Sequence, residues 1–385
     1  MEAATRATYV AFIGAGFAFA SWASRIPQVK AHLHLSPSEL GLVLFAIAAG
    51  SVIALPLSGR VVGRWGSRRT VGTTAVVLAL GLAIAAVGYL FGVVPVMVGL
   101  FVFGLANGGW DVAMNVQAAE VERRAGSAIM SRFHAGFSVG TVTGALLGAV
   151  MVAFHVPVTV HLAAVAVVVA LAVPLSVRGF LADHPVPADG VRSRTSAWAS
   201  WLEPRTLLVG VFVLAFAFAE GTGNDWIGVA VIDGYHAPPV LGTLTFAGFL
   251  AAMTVGRWFG PGLLDRYGRV PVVRAVAVLG VLGLAVFVFG GSAAAAFAGA
   301  VLWGAGVSLG FPVGMSAGAD DPARAASRVS VVASIGYCAF LAGPPVVGLL
   351  GQRFTVLHAL TSVAVLLGLA ALIASSVRPL IPPDR

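Results

Sequence analysis

Charge is what this chain has least of. Only 10% of its 385 residues are Asp, Glu, Lys or Arg, while 59% are hydrophobic. Soluble domains carry about 25% charged residues, so a soluble composition is excluded. Cysteine is nearly absent too. Cys338 stands alone, which rules out an intrachain disulfide, and in its apolar run it reads as small core packing. There is no Gly-x-x-x-x-Gly-Lys phosphate loop, so ATP is not expected as the energy source. His32 and His34 share a short loop, but no Cys or carboxylate pair accompanies them, so no metal site is expected. No enzyme constellation and no cofactor motif appear. A cleavable leader is not expected either, because the first apolar run continues from Ala7 past Ala20 without a small-residue cleavage pattern.

What the chain does contain is apolar runs of membrane length. A spanning helix needs about 20 apolar residues. Twelve runs fit, at 7–28, 38–59, 71–92, 95–117, 129–154, 157–177, 205–232, 239–262, 272–291, 294–317, 328–350 and 355–377. The longest polar segment, Arg178–Arg205, contains Pro185, Pro187, Asp189 and Gly190 and reads as a linker with a surface helix near Trp198–Trp201. The expected division is therefore 1–177, a linker at 178–204, and 205–385.

The basic residues orient the spans. With the termini, the linker and the loops after even-numbered spans placed in the cytoplasm, those segments hold nineteen of the 23 Lys and Arg. The outer side holds three, Arg25, Lys30 and Arg353, and Arg257 lies within a span. That asymmetry predicts a multi-pass protein of the cytoplasmic (inner) membrane with both termini inside. The net charge of +8 is loop punctuation of this kind, so no nucleic-acid partner is expected.

A repeat is present at a shift of about two hundred residues. Phe17-Ala-Phe-Ala20 recurs as Phe216-Ala-Phe-Ala219, Gly41-x-x-x-Phe-Ala46 as Gly242-x-x-x-Phe-Ala247, and Gly109-Trp110 with Met114 as Gly310-Phe311 with Met315. Arg64-Trp-Gly66 aligns with Arg266-Tyr-Gly268. Two halves of six spans in the same order and orientation follow.

The stretch Gly59-Arg-Val-Val-Gly-Arg-Trp-Gly-Ser-Arg-Arg-Thr70 resembles the signature loop of the major facilitator superfamily. Gly59, Arg64, Gly66 and Arg68 match it, while Gly63 stands in place of the usual Asp and Ser67 in place of an Arg. The second copy keeps Asp265, Arg266, Gly268 and Arg269 but has Pro261 for the first Gly. Within that superfamily, Ser21-Trp-Ala-Ser-Arg-Ile-Pro27 and Phe133-His-Ala-Gly-Phe-Ser138 are similar to YbjJ-type transporters, distant relatives of fucose permeases. The resemblance implies an all-α membrane protein of twelve transmembrane helices, arranged as two pseudo-twofold-related six-helix bundles. It implies a monomer that moves a small solute by alternating access, with the signature residues forming a cytoplasmic gate.

Charges at membrane depth are costly and mark pathways or pairs. Asn107, Asp111 and Asn115 recur every four residues on one helical face, and either a cavity or gate role or interhelical hydrogen bonding accounts for them. Glu220, with Asn224 one turn on, is the leading proton site, a fixed ion pair being the alternative. Asp111 and Asp225 are further proton-coupling candidates, Asp225 reading better as an outer-gate contact. Trp22, Arg25, Trp110, His134 and Arg257 complete the expected cavity set. Tryptophans 22, 110, 226 and 303 are candidates to stack on a solute, and packing or interfacial roles compete. Similar depths suggest an inner lock, Asp111–Arg257, and an outer lock, Arg25 with Glu220 or Asp225.

The expected function is secondary transport of a small organic solute coupled to protons. Close helix packing explains Gly140-x-x-x-Gly144-x-x-x-Gly148; the run also approaches the family's antiporter motif, although Ala145 replaces its Pro, and efflux is favoured only slightly over import. The alternative is import of a sugar or sugar acid, and a passive channel or sensor is the reading from another class.

Overall fold

In a computed structural model of the chain, residues 1–126, 129–182, 200–321 and 324–380 are described, the side chain of Ala326 excepted. The expected linker falls mostly outside these residues, as does Trp198 of its surface helix. The described residues are helical and contain no strand. In order the helices are α1 (Glu2–Ala23), α2 (Ile26–His32), α3 (Pro37–Gly88), α4 (Val93–Ala125), α5 (Met130–Ala153), α6 (Val158–Ser176) and α7 (Pro204–Tyr235). They continue as α8 (Pro239–Tyr267), α9 (Arg269–Phe289), α10 (Ala293–Val307), α11 (Gly310–Gly318), α12 (Ala325–Arg353), α13 (Val356–Ala359) and α14 (Thr361–Ile373).

Eleven helical stretches among these residues are long and apolar enough to cross a membrane. Helix α3 has 52 residues, roughly 78 Å at 1.5 Å per residue, which is two crossings. Gly66 divides it with φ 78° and ψ 162°, a conformation open essentially to glycine alone. The chain therefore spans twelve times. The basic stretch 60–70, expected as a loop, is helical on both sides of that single break. Two expected spans are instead interrupted. Span one breaks at Ser24–Arg25 before Pro27, and span ten breaks at Ser308–Leu309 between α10 and α11.

Local chemistry sets the helix ends. Ser36 opens α3 with a capping box: its Oγ accepts from the Glu39 amide at 3.3 Å, and its own amide donates to Glu39 Oε2 at 2.8 Å. Pro204 stands in the first turn of α7, where its missing N–H is no loss. The Ser292 hydroxyl caps α10, accepting from the Ala295 amide at 3.2 Å.

The chain divides into two compact units, Met1–Pro187 with Pro238–Ala247, and Ala188–Ala237 with Gly248–Arg385. The start of α8 thus groups with the first unit rather than the second, unlike a division at the linker alone. In the first unit α1 packs on α5, and α3 packs on α4 and α6. The first of these contacts depends on missing side chains. A Cβ on Gly16 would lie 2.2 Å from the Phe137 carbonyl oxygen, and one on Gly140 would lie 2.1 Å from that of Ile13. The glycine run of α5 is therefore close helix packing against α1.

The second unit repeats the scheme. Its α9–α10 crossing brings Gly283 to 2.4 Å from the Trp303 amide and Gly299 to 2.4 Å from that of Phe287, measured from a built Cβ. The α3–α4 crossing does the same at Gly81 with Phe103 and at Gly99 with Ala85. Gly268 adopts φ 78° and ψ 164°, close to the conformation of Gly66. The sequence repeat is therefore also a repeat of backbone detail.

Large apolar side chains lie on the outside of both units, among them Leu80, Phe91, Leu171, Phe259, Leu349 and Leu372. A soluble protein does not expose apolar surface on this scale; a bilayer covers it. Cys338, expected as core packing, is exposed, and its thiol donates to the Ser334 carbonyl.

Candidate functional site

The second unit holds an ion pair within its spans. Arg257 of α8 donates through Nη2 to Glu220 Oε2 of α7 at 2.7 Å, and through Nε to the Ser308 carbonyl at 3.3 Å. The break in span ten makes the second contact possible. Helix α11 restarts only at Gly310, so the Ser308 carbonyl has no helical partner of its own and accepts from the guanidinium. Gly310 has to be glycine here, because a Cβ would meet the Phe216 ring at 1.9 Å. Arg257 and Glu220 remain 27% and 17% exposed, so the guanidinium has N–H groups left for a third partner.

Asn224 lies one turn beyond Glu220, and its buried Oδ1 has no hydrogen-bond partner among the described residues. An orphaned buried acceptor is rare and calls for a ligand or a water. Asp225, half-buried, has no hydrogen-bond or ion-pair partner among the described residues.

The first unit carries its own polar face. Asn115 Nδ2 donates to the Asp111 backbone carbonyl at 2.9 Å and to its Oδ1 at 3.3 Å, and Asn107 is half-buried one turn before Asp111. The expected locks are corrected at their partners. Arg257 pairs with Glu220 inside the second unit rather than with Asp111. Arg25, 2% exposed, donates through Nε to His161 Nδ1 at 2.9 Å and through Nη2 to the Val156 carbonyl at 2.8 Å, all inside the first unit.

The tryptophans are corrected as well. Trp22, Trp110, Trp226 and Trp303 are at most 2% exposed, so none presents an open ring face to a solute, and the Nε1 of each is buried without a hydrogen-bond partner among the described residues. Trp303 packs edge-on against Phe249 and Phe287. His134 is exposed at the start of α5, with its ring edge against Phe12.

The signature residues have unequal surroundings. Around Gly59 and Gly63 there is open space, and Arg64 and Arg68 are exposed without a partner among the described residues. In the second copy Asp265 is exposed and Arg266 lies over the Tyr267 ring, while Arg269 donates to Asp320 at 2.6 Å and to Ser316 Oγ at 2.8 Å. Arg205 reaches the other oxygen of Asp320 at 2.9 Å. Glu203 accepts from Arg328 at 2.6 Å, from Arg324 at 2.9 Å and from the Thr206 hydroxyl at 2.8 Å. The Arg328 hydrogen bond first, then those from Thr206 and Arg324, hold the Glu203 carboxyl at about 2. Sequence reasoning did not single out Glu203, Asp320 or His161. Acids are scarce enough that Glu203 and Asp320 beside arginine-rich segments were a usable signal.

Twelve spans in two units with matching glycine breaks define a transporter architecture, and the profile of the Major Facilitator Superfamily matches residues 8–339. The chain belongs to the major facilitator superfamily. An uncharacterized MFS-type transporter of Yersinia pestis, YPO1221/y2967, is 32% identical over 363 residues, covering 94% of this chain and 92% of that one. In fold the carrier is similar to the nucleoside transporter NupG, with a TM-score of 0.76 at 15% identity and 98% of both chains covered. The E. coli fucose:proton symporter FucP gives 0.64 at 15% identity, with 97% of both covered. This carrier is a multi-pass membrane protein of a family whose members move small molecules, and the relatives it matches are transporters rather than enzymes.

Proposed function

We propose that this carrier is a proton-coupled transporter of a small polar organic solute, sited in the cytoplasmic membrane with both termini inside. The observation that carries the reading is the Arg257–Glu220 ion pair. A proton on Glu220 removes the charge that holds Arg257. The guanidinium keeps Ser308 and turns its freed N–H groups to an acceptor on the solute. Loss of the proton restores the pair and expels the solute. A proton moving down the membrane potential supplies ~2.3 kcal/mol per 100 mV, enough to drive appreciable accumulation. Asp111 and Asp225 are secondary candidates for the same proton.

The solute class follows from the donors and acceptors. Asn107, Asn115, Asn224 and Arg257 suit a hydroxyl- or amide-bearing molecule better than a lipophilic cation, and the fold likeness to a nucleoside carrier and a fucose carrier accords with that. The direction is kept as read from the sequence, efflux slightly ahead of import, and the α5 glycine run behind it also packs on α1. The inside position of the termini rests on the nineteen-to-three split of basic residues.

The test starts with thermal-shift screening of the purified protein against nucleosides, sugars, sugar acids and cationic drugs. The stabilising solute is then followed in proteoliposomes across an imposed pH gradient. Gradient-driven accumulation abolished by a protonophore is expected, and the sign of the gradient that drives it gives the direction. Solute movement indifferent to the gradient refutes coupling, and proton leak without solute would point to a channel.

A further inference from the structure

The second half of α3 and the end of α6 enclose an open recess of about 490 Å³, lined by Trp65, Arg68, Arg69, Thr73, Pro174 and Arg178 among others. All of it lies in the first unit. None of its three guanidinium groups has a carboxylate or hydrogen-bond partner among the described residues. The second unit treats its arginines otherwise: Arg205 and Arg269 share Asp320, and Arg324 and Arg328 share Glu203. Three like charges around one recess, uncompensated among the described residues, repel each other, and together they match a ligand with several anionic oxygens.

What lies beside the recess selects the kind of anion. On α3, Val76 and Leu80 follow Arg69 and Thr73 at helical spacing, and both are exposed. On α6, Leu175 and Leu171 precede Arg178 in the same way and are exposed too. Trp65 is 50% exposed at the rim, the placement an indole takes at a membrane interface. A free anion would use only the guanidinium wall. A phospholipid would use the wall for its phosphate and the two apolar stripes for its chains.

We propose that this recess holds the phosphate of an anionic phospholipid whose acyl chains lie along the α3–α6 seam. A basic recess at the cytoplasmic membrane surface suits such headgroups. The proposal draws on the orientation given above only in naming the leaflet. With Gly63 in place of the signature acid, the stretch 59–70 of α3 holds four arginines and no acid of its own.

Native mass spectrometry of the full-length protein in detergent, titrated with phosphatidylglycerol and with phosphatidylcholine as reference, tests it. The wild type is expected to retain phosphatidylglycerol preferentially. Arg68→Gln/Arg69→Gln/Arg178→Gln is expected to weaken that binding roughly fivefold per arginine removed. Arg60→Gln/Arg64→Gln/Arg132→Gln, an equal loss of charge outside the recess, is expected to weaken it far less, through the general surface attraction alone. Gly72→Leu fills the recess with every charge intact and is expected to weaken binding; it decides the matter if the triple variant does not fold. Inorganic phosphate at the lipid's concentration is expected not to displace the lipid. Equal binding by wild type and either recess variant overturns the proposal. So does an equal loss in the control triple, or displacement by inorganic phosphate, which would make the recess a free-anion site. The measurement reads no transport, so its failure leaves the proton-coupled reading untouched, and the reverse.

Discussion

Replacing Glu203 by Gln removes the anion on which two arginines of the second unit converge. Glu203 precedes α7 and accepts from Arg328 and Arg324 of the α12 end and from Thr206 of its own first turn. Its carboxyl is held at about 2 against an ordinary 4.5, a difference worth about 3 kcal/mol at 1.36 kcal/mol per unit. The side chain is 21% exposed and Arg324 58%, so solvent screening reduces the useful part to about 1–2 kcal/mol. The folded value lies below the ordinary one, so the contribution is fully present above about 4.5 and is lost as pH falls towards 2. Thermal unfolding in detergent checks both statements. At pH 7, Glu203→Gln is expected to unfold roughly 1–3 °C below the wild type, a chain of 385 residues shifting by about 1 °C per kcal/mol. By pH 3 that gap is expected to shrink to about two-fifths. Equal unfolding temperatures at pH 7 would refute the reasoning, and so would a gap that persists undiminished in acid.

Six further substitutions probe the frame. Gly66→Ala and Gly268→Ala are each expected to destabilise by about 1–3 kcal/mol through backbone strain, by similar amounts, since both glycines hold nearly the same φ and ψ; thermal unfolding of the two variants compares them. Gly140→Leu drives a side chain into the Ile13 carbonyl and is expected to abolish folded yield on gel filtration, whereas Gly63→Asp meets open space and is expected to leave that yield unchanged. His161→Leu deprives the buried Arg25 of its Nε partner and is expected to cost about 1.5–3 kcal/mol in thermal unfolding, with His161→Gln recovering part of it by offering an amide oxygen.

The frame was legible because it is written in periodicity and composition. Apolar run length, the basic asymmetry and a near-constant shift between matching segments need only one-dimensional distances. The shape of α3 was less so: a single Gly66 turns the chain without a loop, and the arginines around it read as loop residues when they are helical. Side-chain pairing was the least legible. Depth along straight helices assigns Arg257 to Asp111 and Glu220 to Arg25, but a long guanidinium stem reaches along the helix to Glu220 and the broken span ten provides its second acceptor. His161 lies 136 residues from Arg25, and no spacing marks that pair. The tryptophans misled because an indole beside polar residues in sequence packs inward as readily as it faces a solute.

Counterflow and gradient-driven uptake of the solute found by screening, compared in proteoliposomes of wild type and Glu220→Gln, bear most directly on the Arg257–Glu220 pair as the coupling element. A neutral Gln cannot cycle a proton but mimics the protonated state. The expected result is exchange across the membrane retained, with accumulation driven by the pH gradient lost. Accumulation by Glu220→Gln at the wild-type level would contradict the account.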